Sequence, residues 1–164
     1  MSIFKRPESA LVVIHTRELE ILLLERAAHR GYWQSVTGSR EDNEEIIQTA
    51  LREVQEETGI VANAAQLTDW HKTNTFEIFE EWRHRYAPGV THNTEHVFSF
   101  EVTRHAPIRL SPTEHTAYCW LHWQEAAAKV FSWSNRDAIV ALATGLLPAT
   151  CSLGPKNEQH RNSL

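Results

Sequence analysis

The hydrophobic positions of this chain form two kinds of pattern: short unbroken runs and a helical stripe. Residues 10–14 and 21–24 are continuous apolar runs rich in branched side chains, which predicts two buried strands. The polar stretch between them, residues 15–20, is short enough to close a hairpin. Residues 44–58 predict a helix, because Ile46, Ile47, Ala50, Leu51 and Val54 recur on one face at the 3.6-residue period. Asp42 and Glu45 have the form of a capping pair at its start, and Gly59 sits where a helix usually stops.

From residue 67 to 103 the pattern changes to aromatic and β-branched side chains. Residues 76–79 and 97–102 alternate and predict strands, with Ala87, Pro88 and Gly89 marking a turn between them. Residues 118–121 predict another short strand and 123–130 a helix. A last helix begins near Ser134, whose side chain can cap it with Asp137 three residues on, and Pro148 sets its latest end. Residues 149–164 hold few large apolar side chains and are expected to be disordered. No repeat or linker divides the remainder. Residues 1–148 are therefore expected to form one domain of α/β (α+β) class, with strands interleaved among helices.

Composition narrows the possible partners. The 16 Lys and Arg against 21 Asp and Glu give a net charge of −5, a poor basis for non-specific binding to nucleic acid or anionic lipid. The longest apolar run, residues 138–143, is far short of the roughly 20 residues of a membrane span. The start of the chain lacks the apolar stretch of a signal peptide. Cys119 and Cys151 cannot build a disulfide framework and suit a reducing cytoplasm. A cytoplasmic domain with no nucleic-acid or membrane partner is the expectation, and no obligate protein partner is evident.

The predicted helix carries acids in an awkward place. On a wheel of about 100° per residue, Glu53 and Glu57 stack along one edge of the apolar stripe, while Glu56 sits nearer solvent. Gln48, Arg52 and Gln55 fall on the side toward water. Like charges at this spacing repel by about 0.2–0.5 kcal/mol even on an exposed helix, and partial burial raises the penalty. A divalent cation resolves the conflict, since Mg²⁺ takes carboxylate oxygens, keeps several waters and shares its shell with substrate phosphates. A solvated acidic face paired with neighbouring Arg or Lys resolves it too, so the spacing alone leaves both open. His92 and His96 are four apart, but the alternation after them suggests a strand. Without Cys partners or a His-Glu helical motif, no zinc site is expected.

Gly38, Glu44, Arg52, Glu53, Val54, Glu56, Glu57, Gly59 and Ile60 fill a recognisable pattern. It reads Gly, five residues, Glu, seven residues, Arg-Glu, aliphatic, any, Glu-Glu, any, Gly, aliphatic. Nine constrained positions over 23 residues make the match specific. The segment resembles the Nudix box. That resemblance implies an α/β/α sandwich with a mixed sheet and hydrolysis of a nucleoside diphosphate linked to another moiety, assisted by Mg²⁺ or Mn²⁺. It also implies Glu53 and Glu57 as metal ligands, Glu56 as a catalytic contributor, and Glu44 with Arg52 as a scaffolding pair. Asn43 stands where many such boxes have Gly, and Asn is the next-best residue for a left-handed turn there.

The resemblance extends beyond the box, over about residues 5–140. Residues 32–39 replace the Pro-Gly-Gly entry of many members. Together with residues 76–79, 83–91, 93–95, 113–115 and 133–136, they resemble the Nudix branch that acts on 7,8-dihydroneopterin triphosphate. The branch implies a metal-assisted attack of water that releases pyrophosphate, a step of folate biosynthesis. Nucleoside triphosphates such as dATP or 8-oxo-dGTP are the alternative substrates. Glu114 is the expected third metal-binding and catalytic carboxylate, with His115 beside it as a weaker choice of base; the identity of the base stays open. Lys5 and Arg26, flanking the first two strands, are placed to meet a triphosphate, and Thr37 offers a hydroxyl or an amide.

A flat, polar-edged pterin ring calls for aromatic stacking with polar groups at its rim. Phe76, Glu77, Ile78 and Phe79 supply that mixture. Strand alternation would put Phe76 and Ile78 on one face and Glu77 and Phe79 on the other, so not all four side chains are expected in one pocket. Ser132 is a further candidate contact. Trp33, Trp120 and Trp133 are expected in the core.

Overall fold

The apolar runs at the start of the chain are unbroken because their strands are covered on both faces. In the computed structural model, which describes residues 3–145, they form β1 (Glu8–His15) and β2 (Glu20–Arg26). Ala10, Val12 and Ile14 of β1 pack into one core with Leu22, Leu24, Ala50 and Val54. Leu11 and Val13 point the other way, into a second core with Ile21, Leu23, Ala126, Ala138 and Ile139. Each fully buried Leu, Ile or Val contributes roughly 1.5–3 kcal/mol relative to exposure. The expected hairpin forms: Thr16 N–H donates to Glu20 O at 2.9 Å, and His15 pairs with Ile21.

The remaining elements are β3 (Trp33–Gln34), β4 (Val36–Ser39), α1 (Ile46–Thr58), β5 (Leu67–Glu77), β6 (His92–Glu101), β7 (His115–His122), α2 (Trp123–Lys129) and α3 (Trp133–Thr144). The sheet runs β3-β2-β1-β6-β5, with β4 also on β1 and β7 also on β2. β1 and β6 pair in parallel, whereas the other pairs are antiparallel, so the sheet is mixed. α1 covers one face and α2 with α3 the other, which gives the expected α/β/α sandwich. β1 parts from β2 after the hairpin and takes β4 as its partner from Ser9 to Val12. That divergence lays β4 beside α1 and opens the sheet where the functional residues gather.

Several local expectations change. Glu45 caps α1, exchanging hydrogen bonds with Gln48, so the Asp42–Glu45 pair is not the cap. Asp42 instead carries the left-handed turn at φ 40°, one residue before Asn43. Gly59 does end the helix in the left-handed region, its N–H donating to Gln55 O. Ser132 rather than Ser134 caps α3, accepting from Asn135 N–H; Ser134 is buried in the first turn. The strand predicted at residues 76–79 ends at Glu77, and a 3₁₀ turn over Glu80–Arg85 follows. Trp33 and Trp120 pack against the cores, but Trp133 is 47% exposed. The tail expected from residue 149 lies outside the described residues. Among those described, no helix is long and apolar enough to cross a membrane.

Candidate active site

Three segments converge where β1 and β2 part. α1 brings Glu53 and Glu57, β4 brings Thr37 and Gly38, and the loop before β7 brings Glu114 and His115. That loop is fastened by backbone bonds: Ser111 O accepts from Glu114 N–H (3.0 Å) and His115 N–H (2.9 Å), while Glu114 O accepts from Ala27 N–H (2.8 Å) just past β2.

The predicted helix edge is buried more deeply than a solvated acidic face would be. Glu53 is 8% exposed and Glu57 2%. Burial pushes the Glu53 carboxyl up to about 7, with Glu56 and Glu114 adding to the rise against Arg52. Burial likewise pushes Glu57 well above the usual carboxylate range, reinforced by Glu53 and Glu114. Thr37 N–H donates to Glu57 Oε2 at 3.0 Å, so that amide is committed to the carboxylate, and the Thr37 hydroxyl is the group left for a ligand. His115 Nε2 lies 3.5 Å from Glu57 Oε1 and 3.3 Å from Gln34 Nε2. Burial lowers the His115 pKa to about 4, so the ring is neutral at neutral pH.

Arg52 departs from its place on the helical wheel. It does not face water but folds back with its side chain 21% exposed, pairing with Glu44 at 2.7 Å, Glu53 at 2.8 Å and Glu56 at 3.2 Å. Its Nη2 also donates to Ser39 O, tying α1 to β4. Glu44 accepts in addition from Thr49 Oγ1 and Glu41 N–H. These bonds, the one from Arg52 foremost, hold its carboxyl near 2. The scaffolding pair is therefore present as an interlock between helix, loop and strand.

Two cavities meet here. One, of about 670 Å³, is bordered by Glu53, Glu56, Glu57, Glu114 and His115. The other, about 270 Å³, is aromatic, with Phe76, Phe79, Trp82, Phe131 and Trp133 in its walls. Lys5, Arg26, Arg85, Thr37 and Gly38 border both. Arg26 lies over the Trp82 ring at 5.0 Å, a cation–π contact, and Trp82 meets Phe79 edge-on with centroids 5.0 Å apart.

A NUDIX domain profile matches residues 5–142. The chain belongs to the Nudix family. Among its Nudix relatives is the dihydroneopterin triphosphate diphosphatase of Escherichia coli K12, 49% identical over 140 residues that cover 84% of this chain and 92% of that one. The enzyme of the same description from Haemophilus influenzae is 39% identical over 139 residues, covering 83% and 87%. The solved structure of the E. coli dihydroneopterin triphosphate pyrophosphohydrolase superposes with a TM-score of 0.80 at 46% identity, covering 88% of this chain and 99% of that one.

Nudix hydrolases use a divalent metal, and the donor set here fits one. One ligand atom each from Glu57, Glu114 and His115 lie within 4.8 Å of one another, and the desolvated carboxyl of Glu53 stands beside them. Hard oxygen donors held at unfavourable ionisation are what a divalent ion relieves. His115 belongs to this cluster, although the sequence offered it only as an alternative base.

All four residues of the 76–79 stretch border the aromatic cavity; the strand stops after Glu77, and Ile78 is buried. Glu77 is paired with Arg83. Ser132 borders the same cavity while capping α3. Arg85, Asn93 and Glu95 fall in stretches that carry the resemblance but, like Trp82 and Phe131, have no site role assigned from the sequence. The signal available was placement: Arg85 and Trp82 lie in the 3₁₀ turn that strand-seeking overlooks. Asn93 and Glu95 share a face of β6 with Val97, two residues apart.

Proposed function

We propose that this Nudix hydrolase converts 7,8-dihydroneopterin triphosphate and water into dihydroneopterin monophosphate and pyrophosphate, using Mg²⁺, with Mn²⁺ able to replace it. The reaction is a cytoplasmic step of folate biosynthesis. The observation that carries this reading is the row Lys5, Arg26 and Arg85 shared by a carboxylate cavity and an aromatic one. A flat ring in the aromatic cavity would send its triphosphate past those cations toward Glu53, Glu57 and Glu114. The diphosphatase relatives from two bacteria support the same substrate.

In this reading Lys5, Arg26 and Arg85 bind the phosphates, and Glu53, Glu57 and Glu114 hold the ion, with Glu56 contributing at the rim. The bound ion supplies Lewis-acid charge that neutralises phosphate oxygens and lowers the pKa of water. Phe76, Phe79 and Trp82 enclose the ring, with Glu77, Ile78 and Ser132 at its border, and Thr37 borders the phosphate path. Water joins phosphorus as the P–O bond between the first and second phosphates breaks.

Incubation of the purified protein with the pterin triphosphate and Mg²⁺ tests this: pyrophosphate should appear in equal amount to the monophosphate. Release of orthophosphate instead would refute the assignment. Glu57→Gln should lower kcat by more than the roughly 10–100-fold that loss of an outer-shell partner costs, with circular dichroism unchanged. A variant with full kcat would remove Glu57 from the proposed ligand set.

A further inference from the structure

The aromatic cavity has a polar floor that the proposed reaction does not yet use. Glu95 of β6 borders it and is 5% exposed. Asn74, its partner across the β5–β6 ladder, and Ser134 of α3 hydrogen-bond its carboxyl group. Its Oε1 is nevertheless buried without a hydrogen-bond partner. Asn93, two residues earlier on the same face and 4% exposed, repeats the situation. Its Nδ2 donates to Ser9 Oγ at 2.8 Å, which fixes the amide, and its Oδ1 is buried without a partner.

Buried polar atoms are almost always hydrogen-bonded, and leaving one unpaired costs roughly 1–3 kcal/mol. Two unpaired oxygens in the wall of one cavity, both acceptors, call for a ligand that brings donors. The edge of a 2-aminopyrimidin-4-one ring does so: it presents a ring N–H and an exocyclic amino group side by side. Dihydropterin and guanine share that edge. Adenine presents an amino group beside an acceptor nitrogen, and hypoxanthine keeps the ring N–H but lacks the amino group. Each would leave one of these oxygens unpaired.

We infer that Glu95, assisted by Asn93, is the specificity-determining residue of this site, reading the amino-and-N–H edge of the substrate's ring through acceptor oxygens at the cavity floor. The inference deepens the proposed function and rests on it for the ring's location. Burial also pushes the Glu95 pKa upward, a cost that ligand donors would offset.

GTP and ITP separate the edge from the rest of the molecule, since they differ only in the 2-amino group. With Mg²⁺ and the full-length protein, the wild type should show a kcat/KM for GTP at least roughly tenfold above that for ITP, the range of one hydrogen bond to a charged acceptor. In Glu95→Gln, which keeps the shape and can still accept from Ser134 and Asn74, the ratio should collapse to within about twofold of unity. A ratio preserved in Glu95→Gln would overturn the inference. So would equal turnover of GTP and ITP by the wild type, a measurement that needs no variant to fold. If the pterin triphosphate proves a poor substrate while the GTP preference depends on Glu95, the pterin reading fails and the edge-reading role stands. If the pterin triphosphate is cleaved well but GTP and ITP are indistinguishable, this inference fails alone.

Discussion

Gly38 of β4 lies so close to Glu53 of α1 that a Cβ on residue 38 would sit 2.0 Å from the Glu53 carboxyl carbon. The backbone of Gly38 is not left-handed, so the conformation itself tolerates alanine. The atom in the way is the end of a flexible side chain. Gly38→Ala should therefore leave the fold intact and push the Glu53 carboxylate out of place. Misplacement of a reacting group by about 1 Å costs on the order of 10²-fold in rate. A melting temperature close to wild type with kcat/KM lowered on that order is the expected result. A fully active Gly38→Ala would show that the position of Glu53 is not critical.

The two buried carboxyls set the pH dependence of the metal-free protein. The Glu53 pKa is raised from 4.5 to about 7, so its contribution to stability is fully present below about 4.5 and is lost as pH rises through 7. Glu57 shifts in the same direction. His115, lowered from 6.5 to about 4, acts on the acid side, where stability falls as pH drops from 6.5 toward 4. Between pH 6.5 and 8.5 the carboxyls dominate. With chelator present, the protein should lose about 1 kcal/mol over that range from Glu53 alone, a fall of a few degrees in Tm for a domain of this size. Mg²⁺ should remove most of the fall. A Tm in chelator that is flat or rising from pH 6.5 to 8.5 would contradict the burial of these charges.

Glu44 works in the opposite sense. Hydrogen bonds from Arg52 hold its pKa near 2, so its stabilisation is present above about 4.5 and lost as pH falls through 2. Glu44→Gln should lower stability at pH 7 by roughly 1.5–3 kcal/mol, the range for hydrogen bonds to charged groups. The gap from wild type should close progressively in acid. Urea titrations at pH 7 and pH 3 measure this, and a gap that is equal at both pH values would contradict the ion-pair origin.

What the sequence revealed depended on how periodic each element is. β1 and β2 were legible because burial on two faces writes an unbroken apolar run, and α1 because a stripe repeats through Ile46, Ala50 and Val54. The Glu53–Glu57 edge followed from the same periodicity. β3 and β4 have two and four residues, too few for any period, and β4 contains the glycine that admits Glu53. Arg52 was misread as facing water because the predicted helix ran back to Glu44, whereas the loop before Ile46 sets that carboxylate where Arg52 folds back to meet it. The caps moved to Glu45 and Ser132 because several residues near each helix start could accept the first amides, and only the chain's entry angle decides. The role of Glu95 was not legible for a related reason: its stretch carried the resemblance, but nothing local to it shows that Ser134 of α3 packs over its carboxyl group.

The most direct measurement is kcat/KM for 7,8-dihydroneopterin triphosphate beside dATP and 8-oxo-dGTP under the same Mg²⁺ concentration. A cavity built from Phe76, Phe79 and Trp82 over an acceptor floor at Glu95, joined to the carboxylates by Lys5, Arg26 and Arg85, predicts the highest value for the pterin triphosphate. A hundredfold preference for either nucleotide would contradict it.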